Sequence, residues 1–240
     1  NATLFTDLIE VFRQSETEHN LRNVNRLCSI VKILITYNEN GVFEVLFNDE
    51  SYFLDIIGIL EYDPEFPTYK SKFREYLQND SKFKEIIPIE ELKMKKLIIS
   101  TFNFQFLKDV VLARLLDDPS VNSIATLIYF NQVEILKFLQ EEENFLSNLF
   151  NLYNPESQTP QGTKRGGVKM IHQYVIISKS LQASQRSDFF KALVKKWLFK
   201  MIKLSLKDSQ VDIRVIGTEL IVAILEQDAT LINGIGEIDN

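Results

Sequence analysis

Apolar residues recur three and four positions apart through most of this chain, which is the spacing of amphipathic helices. Glycine and proline, which mark the turns of hairpins and strand–helix units, number only 8 and 6 among 240 residues. The helical spacing is clearest in 21–37 and 121–139, and no segment alternates like a half-buried strand. The sequence therefore predicts long helices joined by short turns.

Two prolines make the sharpest break in this pattern, within the stretch 60–89. Proline lacks an amide donor and disfavours the helical conformation in the residue before it, so Pro64 and Pro67 should form an extended corner. The helix that precedes the corner should therefore end near Glu61. Beyond the corner we expect two short helices, over 68–77 and 80–87.

Helices of roughly 10 to 19 residues on short turns are typical of armadillo and HEAT repeats, which recur every ~40 to 47 residues. The predicted fold is an all-α, armadillo/HEAT-like helical-repeat solenoid that forms a single domain over 1–240, and a compact helical bundle is the alternative. The segment 62–89 is a proline-cornered insertion in this pattern. The segment 154–167 lacks apolar residues and is predicted to be a flexible loop.

The C-terminal end of the chain carries apolar residues that no later element would cover. A terminal repeat normally has a polar outer face, so we expect the chain to be a fragment of a longer protein. The uncovered set is Leu220, Ile221, Ile224, Leu225 and Ile232.

The sequence patterns of catalysis and cofactor binding are absent from this chain. The two histidines, His19 and His172, lie far apart, and the single cysteine, Cys28, sits in an apolar series that cannot build a disulfide or a zinc site. No glycine-rich phosphate loop, metalloprotease motif or hydrolase motif occurs. We therefore expect no enzyme activity, no cofactor and no metal.

Membranes and nucleic acids are also disfavoured as partners. No apolar run approaches the ~20 residues that cross a bilayer, and no signal segment opens the chain. The net charge is −6, whereas a general nucleic-acid binder shows an overall basic balance. The expected partner is another protein.

The proline corner is the first candidate surface for binding such a partner. Aromatic and arginine side chains dominate the hot spots of protein interfaces, although a corner packed on adjacent helices would also explain their presence. The candidate partner-binding residues are Tyr62, Asp63, Pro64, Phe66, Arg74, Phe83 and Lys84.

A stripe of lysines is the second candidate surface. On a helix predicted over 188–206, lysines fall three and four positions apart and so share one face beside an apolar one. A solvated face explains this pattern, and the functional alternative is a docking surface for an acidic partner, which Lys164, Arg165 and Lys169 could extend. The stripe comprises Lys196, Lys200, Lys203 and Lys207.

Several short segments between about residues 25 and 225 form a pattern that is specific as a set. They are LEYDP at 60–64, Arg74-Glu75 with Leu77, KFKEIIPI at 82–89, FNQVEI at 130–135 with Leu139-Gln140, Phe145-Leu146, and Arg186 with Phe189-Phe190. As a set they resemble the central region of the protein phosphatase 4 regulatory subunit 3 family, also called SMEK or Falafel. The segment 154–167 departs most from that family.

The resemblance implies a non-catalytic, armadillo-like subunit of a serine/threonine phosphatase complex, with the catalytic subunit and a second regulatory subunit as partners. It also implies action on phosphoprotein substrates through that complex, a location in nucleus and cytoplasm, and a role in DNA-damage recovery.

The segment 62–89 is the expected contact with the catalytic subunit. Replacing Tyr62, Arg74 and Phe83 together should therefore abolish co-purification of that subunit without lowering the melting temperature. The runner-up function is a helical-repeat adaptor for peptide or transport cargo, whose inner groove would carry repeated asparagine and tryptophan. Only one tryptophan is present, which counts against the adaptor.

Overall fold

The computed structural model of this chain consists of helices and the turns between them. It describes residues 2–37, 43, 50–66, 70–79, 85–113, 118–195 and 198–231. Within these ranges there is no strand, and the predicted all-α helical-repeat class is confirmed. No helix in the same ranges is both long enough and apolar enough to span a bilayer.

Eleven α-helices follow one another in the described residues, and one short π-helix, Leu107–Val111, interrupts the series. The N-terminal half contains α1 Ala2–Thr17, α2 Leu21–Thr36, α3 Glu50–Leu60, α4 Phe73–Asn79 and α5 Leu92–Phe106. After the π-helix come α6 Asp118–Glu141, α7 Glu143–Asn151, α8 Gln161–Ser178, α9 Ala183–Lys195, α10 Leu198–Ser205 and α11 Val211–Gln227.

The chain divides into two compact units. Unit 1 comprises Asn1–Lys84 and Lys96–Asn131, and unit 2 comprises Glu85–Lys95 and Gln132–Asn240. The prediction of one repeat domain over 1–240, with an insertion at 62–89, stays a prediction.

In unit 1, the helices α1, α2 and α3 pack against one another. The buried residues of α2 have the spacing of one helix face, and they are Val24, Leu27, Cys28, Val31 and Ile35. They join Phe12 of α1 and Phe53 of α3 in one apolar cluster. Burying a side chain of this size stabilises a fold by ~1.5–3 kcal/mol, so this cluster fixes the helices on which the proline corner rests.

The turn between α1 and α2 is closed by His19, which adopts a left-handed conformation with φ 54°. The N–H of Asn20 donates to the carbonyl of Ser15 at 2.8 Å. The N–H of His19 donates to the carbonyl of Glu16 at 3.1 Å, and this pair of bonds defines a Schellman motif. The side chain of Asn20 then caps α2 by accepting the N–H of Asn23 at 3.2 Å.

Replacing His19 with glycine is expected to stabilise the chain. A residue with a Cβ carries a penalty on the order of 1 kcal/mol in the left-handed conformation, and glycine does not. The free energy of unfolding in urea should rise by about 0.5–1 kcal/mol for His19→Gly, and His19→Ala should show no gain. A less stable glycine variant would mean that the imidazole makes a stabilising contact of its own.

In unit 2, α8 and α9 each pack against both α10 and α11, and α7 packs against α10. Two glycines allow close approach between elements. A Cβ on Gly167 would lie 2.5 Å from the hydroxyl of Tyr153, and a Cβ on Gly217 would lie 3.0 Å from Cβ of Ser205. A side chain at Gly167 would therefore have to displace the Tyr153 hydroxyl, and one at Gly217 would press on Ser205.

Three predicted segments differ from the structure, and a fourth is described only in part. The predicted loop over 154–167 is wrong in its second half, because α8 begins at Gln161. The predicted helix over 80–87 is wrong at its end, since 85–91 are not helical; residues 80–84 lie outside the described residues. The helix predicted over 68–77 begins only at Phe73 and ends at Asn79. The helix predicted over 188–206 is described in two parts, α9 and α10, and residues 196–197 between them lie outside the described residues.

Two of these differences have a physical reason that the structure shows. The polar start of α8 is helical because Gln161 and Arg165 bind Asp208 across unit 2, a contact that local composition does not reveal. Ile87 precedes Pro88, whose ring disfavours the helical conformation there.

The apolar set near the C-terminal end, which was expected to be uncovered, is partly buried. Leu220 and Ile224 are buried within unit 2, whereas Leu225 is exposed.

Candidate protein-interaction groove

Arg74 ties the proline corner to α1 and α3. Its guanidinium donates to the carboxylate of Glu61 from Nε at 3.0 Å and from Nη2 at 2.7 Å. It donates to Glu16 from Nη1 at 3.0 Å and from Nη2 at 2.6 Å. The backbone N–H of Arg74 also donates to Glu61, at 2.8 Å. Two-point pairs between a planar guanidinium and carboxylates are geometrically specific, so the start of α4 has one defined position.

The carboxylate of Glu16 is held in its charged form by this arginine. The hydrogen bond from Arg74 is the main cause that lowers the pKa of Glu16 to about 2, and the same contacts raise the pKa of Arg74. The side chain of Glu61 is only 4% exposed. Position 58 suits glycine, since a Cβ on Gly58 would lie 2.8 Å from the guanidinium. The corner therefore rests on a largely buried charge network.

Two further corner residues bind within unit 1. The hydroxyl of Tyr62 donates to Glu16 at 2.7 Å. Asp63 pairs with Lys32 at 2.6 Å and accepts the backbone N–H of Glu65 at 3.0 Å. An aspartate side chain that accepts a hydrogen bond from the backbone N–H two residues later forms an Asx turn. This turn reverses the chain immediately after α3.

The polar groups of Tyr62, Asp63 and Arg74 are thus engaged inside the fold. Whether they also bind a partner stays a prediction. The expectation that Tyr62 and Arg74 can be replaced without lowering the melting temperature does not fit these contacts, because Glu61 would be left buried without its cation.

The other predicted corner residues lie in different places. Pro64 and Phe66 are exposed at the tip of the corner, and Phe66 lines the groove described next. Phe83 and Lys84 lie outside the described residues. Their part in binding stays a prediction.

A groove of about 690 Å³ opens beside the corner in unit 1. Its walls come from the corner, from α4, and from the end of α5 with the π-helix. The ring of Tyr76 stacks on that of Phe106 with centroids 5.6 Å apart, and Phe73 meets Phe106 edge-on at 6.2 Å. The apolar lining includes Leu60, Phe66, Phe73, Tyr76, Phe106 and Val110.

Three of these lining side chains are large, apolar and exposed. Val110 is 51% exposed, Tyr76 47% and Phe66 43%. Aromatic side chains around a concave apolar surface are typical of protein interfaces, and the volume lies in the range of ~300–1,000 Å³ found for binding sites. The groove therefore suits the apolar side chains of a partner protein.

The rim of the groove carries charged side chains. Lys72 pairs with Glu75 at 2.9 Å, and Asp63 is paired with Lys32. Glu65 is exposed on the rim and makes no ion pair with any cation in the part of the chain that the structure describes. A partner that places a basic residue beside its apolar anchor would match this rim.

The predicted lysine stripe does not form one continuous helix face among the described residues. Lys207 lies in the turn after α10 ends, and Lys196 lies outside the described residues. Lys200 donates to Oδ1 of Asn154 at 2.6 Å, and Lys203 is exposed. The role of these lysines as a docking surface stays a prediction.

Two of the three predicted extensions of the stripe, Arg165 and Lys169, are bound within unit 2; the role of Lys164 stays a prediction. Nε of Arg165 donates to the two carboxylate oxygens of Asp208 at 3.0 and 3.1 Å, and Gln161 donates to the same group at 2.7 Å. The hydrogen bond from Arg165 is the main cause that lowers the pKa of Asp208 to about 2. Lys169 pairs with Asp212 at 3.0 Å. Arg165 therefore stabilises the fold through its buried partner Asp208, whereas the exposed pair of Lys169 contributes little.

The described residues contain no group of three or more side chains that could hold a metal ion. Cys28 is buried, and burial raises the pKa of its thiol to about 12. Since the thiolate is the reactive form, this cysteine is unreactive near neutral pH. The arrangement that the structure does offer is a surface for binding another protein.

Comparison with known protein families identifies the family to which this chain belongs. The model of the family described as phosphatase 4 regulatory subunit 3 matches residues 1–237. The chain belongs to the phosphatase 4 regulatory subunit 3 family. This confirms the resemblance seen in the short sequence segments. A regulatory subunit is a non-catalytic one, so the prediction that the chain is not an enzyme is confirmed as well.

Three relatives illustrate the match. The serine/threonine-protein phosphatase 4 regulatory subunit 3 of Kluyveromyces lactis is 40% identical over 233 residues, which cover 95% of this chain and 31% of that protein. The protein of the same name from Eremothecium gossypii is 38% identical over 247 residues, 100% of this chain and 29% of that protein. Suppressor of Mek1 from Dictyostelium discoideum is 34% identical over 208 residues, which cover 86% of this chain and 20% of that protein.

The chain spans less than a third of the length of these three relatives. No solved structure matches it. The regulatory-subunit assignment therefore rests on sequence similarity, whereas the groove is a feature of the structure.

Sequence reasoning missed several residues that form the groove. Phe106 and Val110 lie about forty residues beyond the corner, in a run that has the ordinary spacing of a helix. Tyr76 follows Phe73 by three positions, and this helical spacing was the available signal that the two share a face. Nothing in the sequence indicates that Tyr76 and Phe106 stack.

Proposed function

We propose that this chain is a scaffold region of a phosphatase 4 regulatory subunit 3 and that it binds the phosphatase catalytic subunit at the groove in unit 1. The observation that carries the proposal is the exposed apolar set Phe66, Tyr76 and Val110, which surrounds a groove whose corner and α4 are held in position by the ion pairs of Arg74. The family membership supports the role of a regulatory subunit.

The supports of the corner favour binding by a preformed surface. A surface that is already ordered loses less conformational freedom when a partner binds, so more of the contact energy appears as affinity. Arg74 fixes the start of α4, and the Asx turn at Asp63 fixes the chain after α3. The exposed carboxylate of Glu65 favours a partner surface with a basic residue at this edge.

Placing a charge in the groove should break the contact with the catalytic subunit. The variant Phe66→Ser with Val110→Glu removes one apolar anchor and puts a carboxylate on the wall, which an apolar partner surface would have to bury unpaired. Co-purification of the co-expressed catalytic subunit should fall by at least about tenfold. The melting temperature should stay within a few degrees of the parent, because both positions are exposed.

Ile176→Glu provides the matched control. Ile176 is an apolar residue of α8 in unit 2 that is exposed to a similar extent, so this change tests charge insertion away from the groove. Binding of the catalytic subunit should be retained. Full retention of binding by the groove variant, with the melting temperature unchanged, would show that the groove is not the contact.

We also propose, on the resemblance to the family, that the complex includes a second regulatory subunit, acts on phosphoproteins in nucleus and cytoplasm, and contributes to recovery from DNA damage. Cells whose full-length protein carries the groove variant should then remove damage-induced phosphorylation more slowly. Normal recovery in cells that have lost the contact would contradict the DNA-damage role.

A further inference from the structure

α2 presents a second exposed stripe, distinct from the groove. It consists of Arg22, Arg26, Ile30, Ile33 and Tyr37, which recur four, four, three and four positions apart. At 3.6 residues per turn these positions fall within an arc of about 80°. Ile33 is 65% exposed and Tyr37 72%. We call this stripe the α2 face; it lies on the side of the helix away from the buried residues of α2.

The α2 face carries positive charge at Arg22 and Arg26. The sequence of α2 contains no aspartate or glutamate. In the part of the chain that the structure describes, Arg22 and Arg26 form no ion pair. Both lie in the first two turns, where the partial charge of the helix dipole is also positive. The positive potential is local, since the whole chain has a net charge of −6.

The apolar half of the α2 face lies at the other end of the same helix. Ile30, Ile33 and Tyr37 occupy the last two turns, so the face changes from basic to apolar along a length of about 22 Å. Single exposed apolar residues are common on protein surfaces. Here three of them adjoin two arginines on one face, and arginine and tyrosine are residue types that dominate interface hot spots.

We propose that the α2 face docks an acidic amphipathic segment of another protein, about four helical turns long. Its carboxylates would pair with Arg22 and Arg26, where the dipole adds to the attraction. Its apolar side chains would cover Ile33 and Tyr37. The proposal rests on α2 alone and is independent of the role of the groove.

Binding of designed peptides to the 240-residue chain tests this proposal. The probes are labelled helical peptides of about 16 residues whose one face carries glutamates at one end and leucines at the other. One peptide has its glutamates near the N-terminus and a second has them near the C-terminus, because the direction in which a partner helix would dock is open. Matching peptides carry lysine in place of glutamate. At least one glutamate peptide should bind about tenfold or more tightly than its lysine counterpart, and its affinity should fall as salt is added.

Two double variants locate the contact. Arg22→Glu with Arg26→Glu should weaken the glutamate peptide by about tenfold and strengthen the lysine peptide. Ile33→Ser with Tyr37→Ser should weaken the glutamate peptide without reversing the charge preference. The control, Val215→Ser with Val222→Ser on exposed positions of α11, should leave the affinity unchanged. Melting temperatures of all variants should match the parent.

Other occupants of the α2 face would overturn the proposal, and each has its own readout. Equal affinity for glutamate and lysine peptides would exclude recognition of acidic segments. Binding to phosphatidylserine-containing vesicles that is lost in the arginine variant would assign the face to a lipid surface. A dimer in light scattering that Ile33→Ser with Tyr37→Ser converts to a monomer would assign it to a second copy of the chain.

Discussion

Replacing Arg74 with methionine should lower the free energy of unfolding by about 3–5 kcal/mol. Methionine retains much of the aliphatic packing but removes the cation, so Glu61, whose side chain is 4% exposed, would remain buried without a counter-charge. Glu16 would lose its two bonds to the same guanidinium. Urea denaturation at neutral pH measures the loss directly.

An exposed ion pair of the same unit gives the matched control. Arg13 pairs with Asp55 at 2.6 Å, but its side chain is largely in solvent, and such pairs contribute at most about 1 kcal/mol. Arg13→Met should therefore have little effect. Adding Glu61→Leu to Arg74→Met should recover part of the loss, because it removes the stranded charge. Similar small effects of Arg74→Met and Arg13→Met would mean that the network does not hold the corner.

Asp208→Asn should have the second largest effect, a loss of about 2–3 kcal/mol at neutral pH. Hydrogen bonds that involve a charged group contribute ~1.5–3 kcal/mol, and the carboxylate of Asp208 accepts from Arg165, from Gln161 and from the backbone N–H of Gln210. Asparagine keeps the size of the side chain but removes its charge. Chemical denaturation of the two proteins side by side gives the difference.

The loss in Asp208→Asn should depend on pH in a defined direction. Arg165 lowers the pKa of Asp208 from its usual 3.8 to about 2, so the unfolded chain binds this proton more readily than the folded one. The stabilisation is therefore complete above about pH 4 and disappears as the pH falls to about 2. The parent and the variant should converge in stability over that interval.

Asp212→Asn separates this effect from a general loss of charge. Asp212 pairs with Lys169 on the surface of unit 2, with both side chains more than half exposed, so its replacement should change stability little. A deficit in Asp208→Asn that persisted unchanged at pH 2 would show that the carboxylate charge is not what stabilises this site.

Helices of this chain could be predicted because the information that specifies them is local. The spacing of Val24, Leu27, Val31 and Ile35 predicts α2, and all four side chains are buried. Pro64 predicts the end of α3, which falls at Leu60. Patterns of three and four residues and the backbone chemistry of proline decide both features without reference to the rest of the fold.

The groove and its supports could not be predicted in the same way, because they join distant positions. Arg74 meets Glu16 across 58 positions of sequence, and the sequence offers many other carboxylates as partners. Tyr76 stacks on Phe106 only because α4 lies beside the end of α5. Such contacts depend on how helices pack, which spacing within one helix does not determine.

This difference between local patterns and distant contacts explains which features of the predicted binding corner the sequence could indicate. The aromatic and charged residues after α3 stand out in the sequence, but their types alone do not separate ties within the fold from surfaces for a partner. Tyr62 and Arg74 are ties, whereas Phe66 is exposed and lines the groove. Burial and hydrogen bonding, which the sequence does not give, make that distinction.

Hydrogen exchange of the chain with and without the phosphatase catalytic subunit tests the central claim most directly. If the subunit binds at the groove, the amides of α4 and of the π-helix Leu107–Val111 should exchange more slowly in the complex, because these elements form the groove walls. Protection confined to elements of unit 2, with α4 and the π-helix unchanged, would contradict the assignment of the groove.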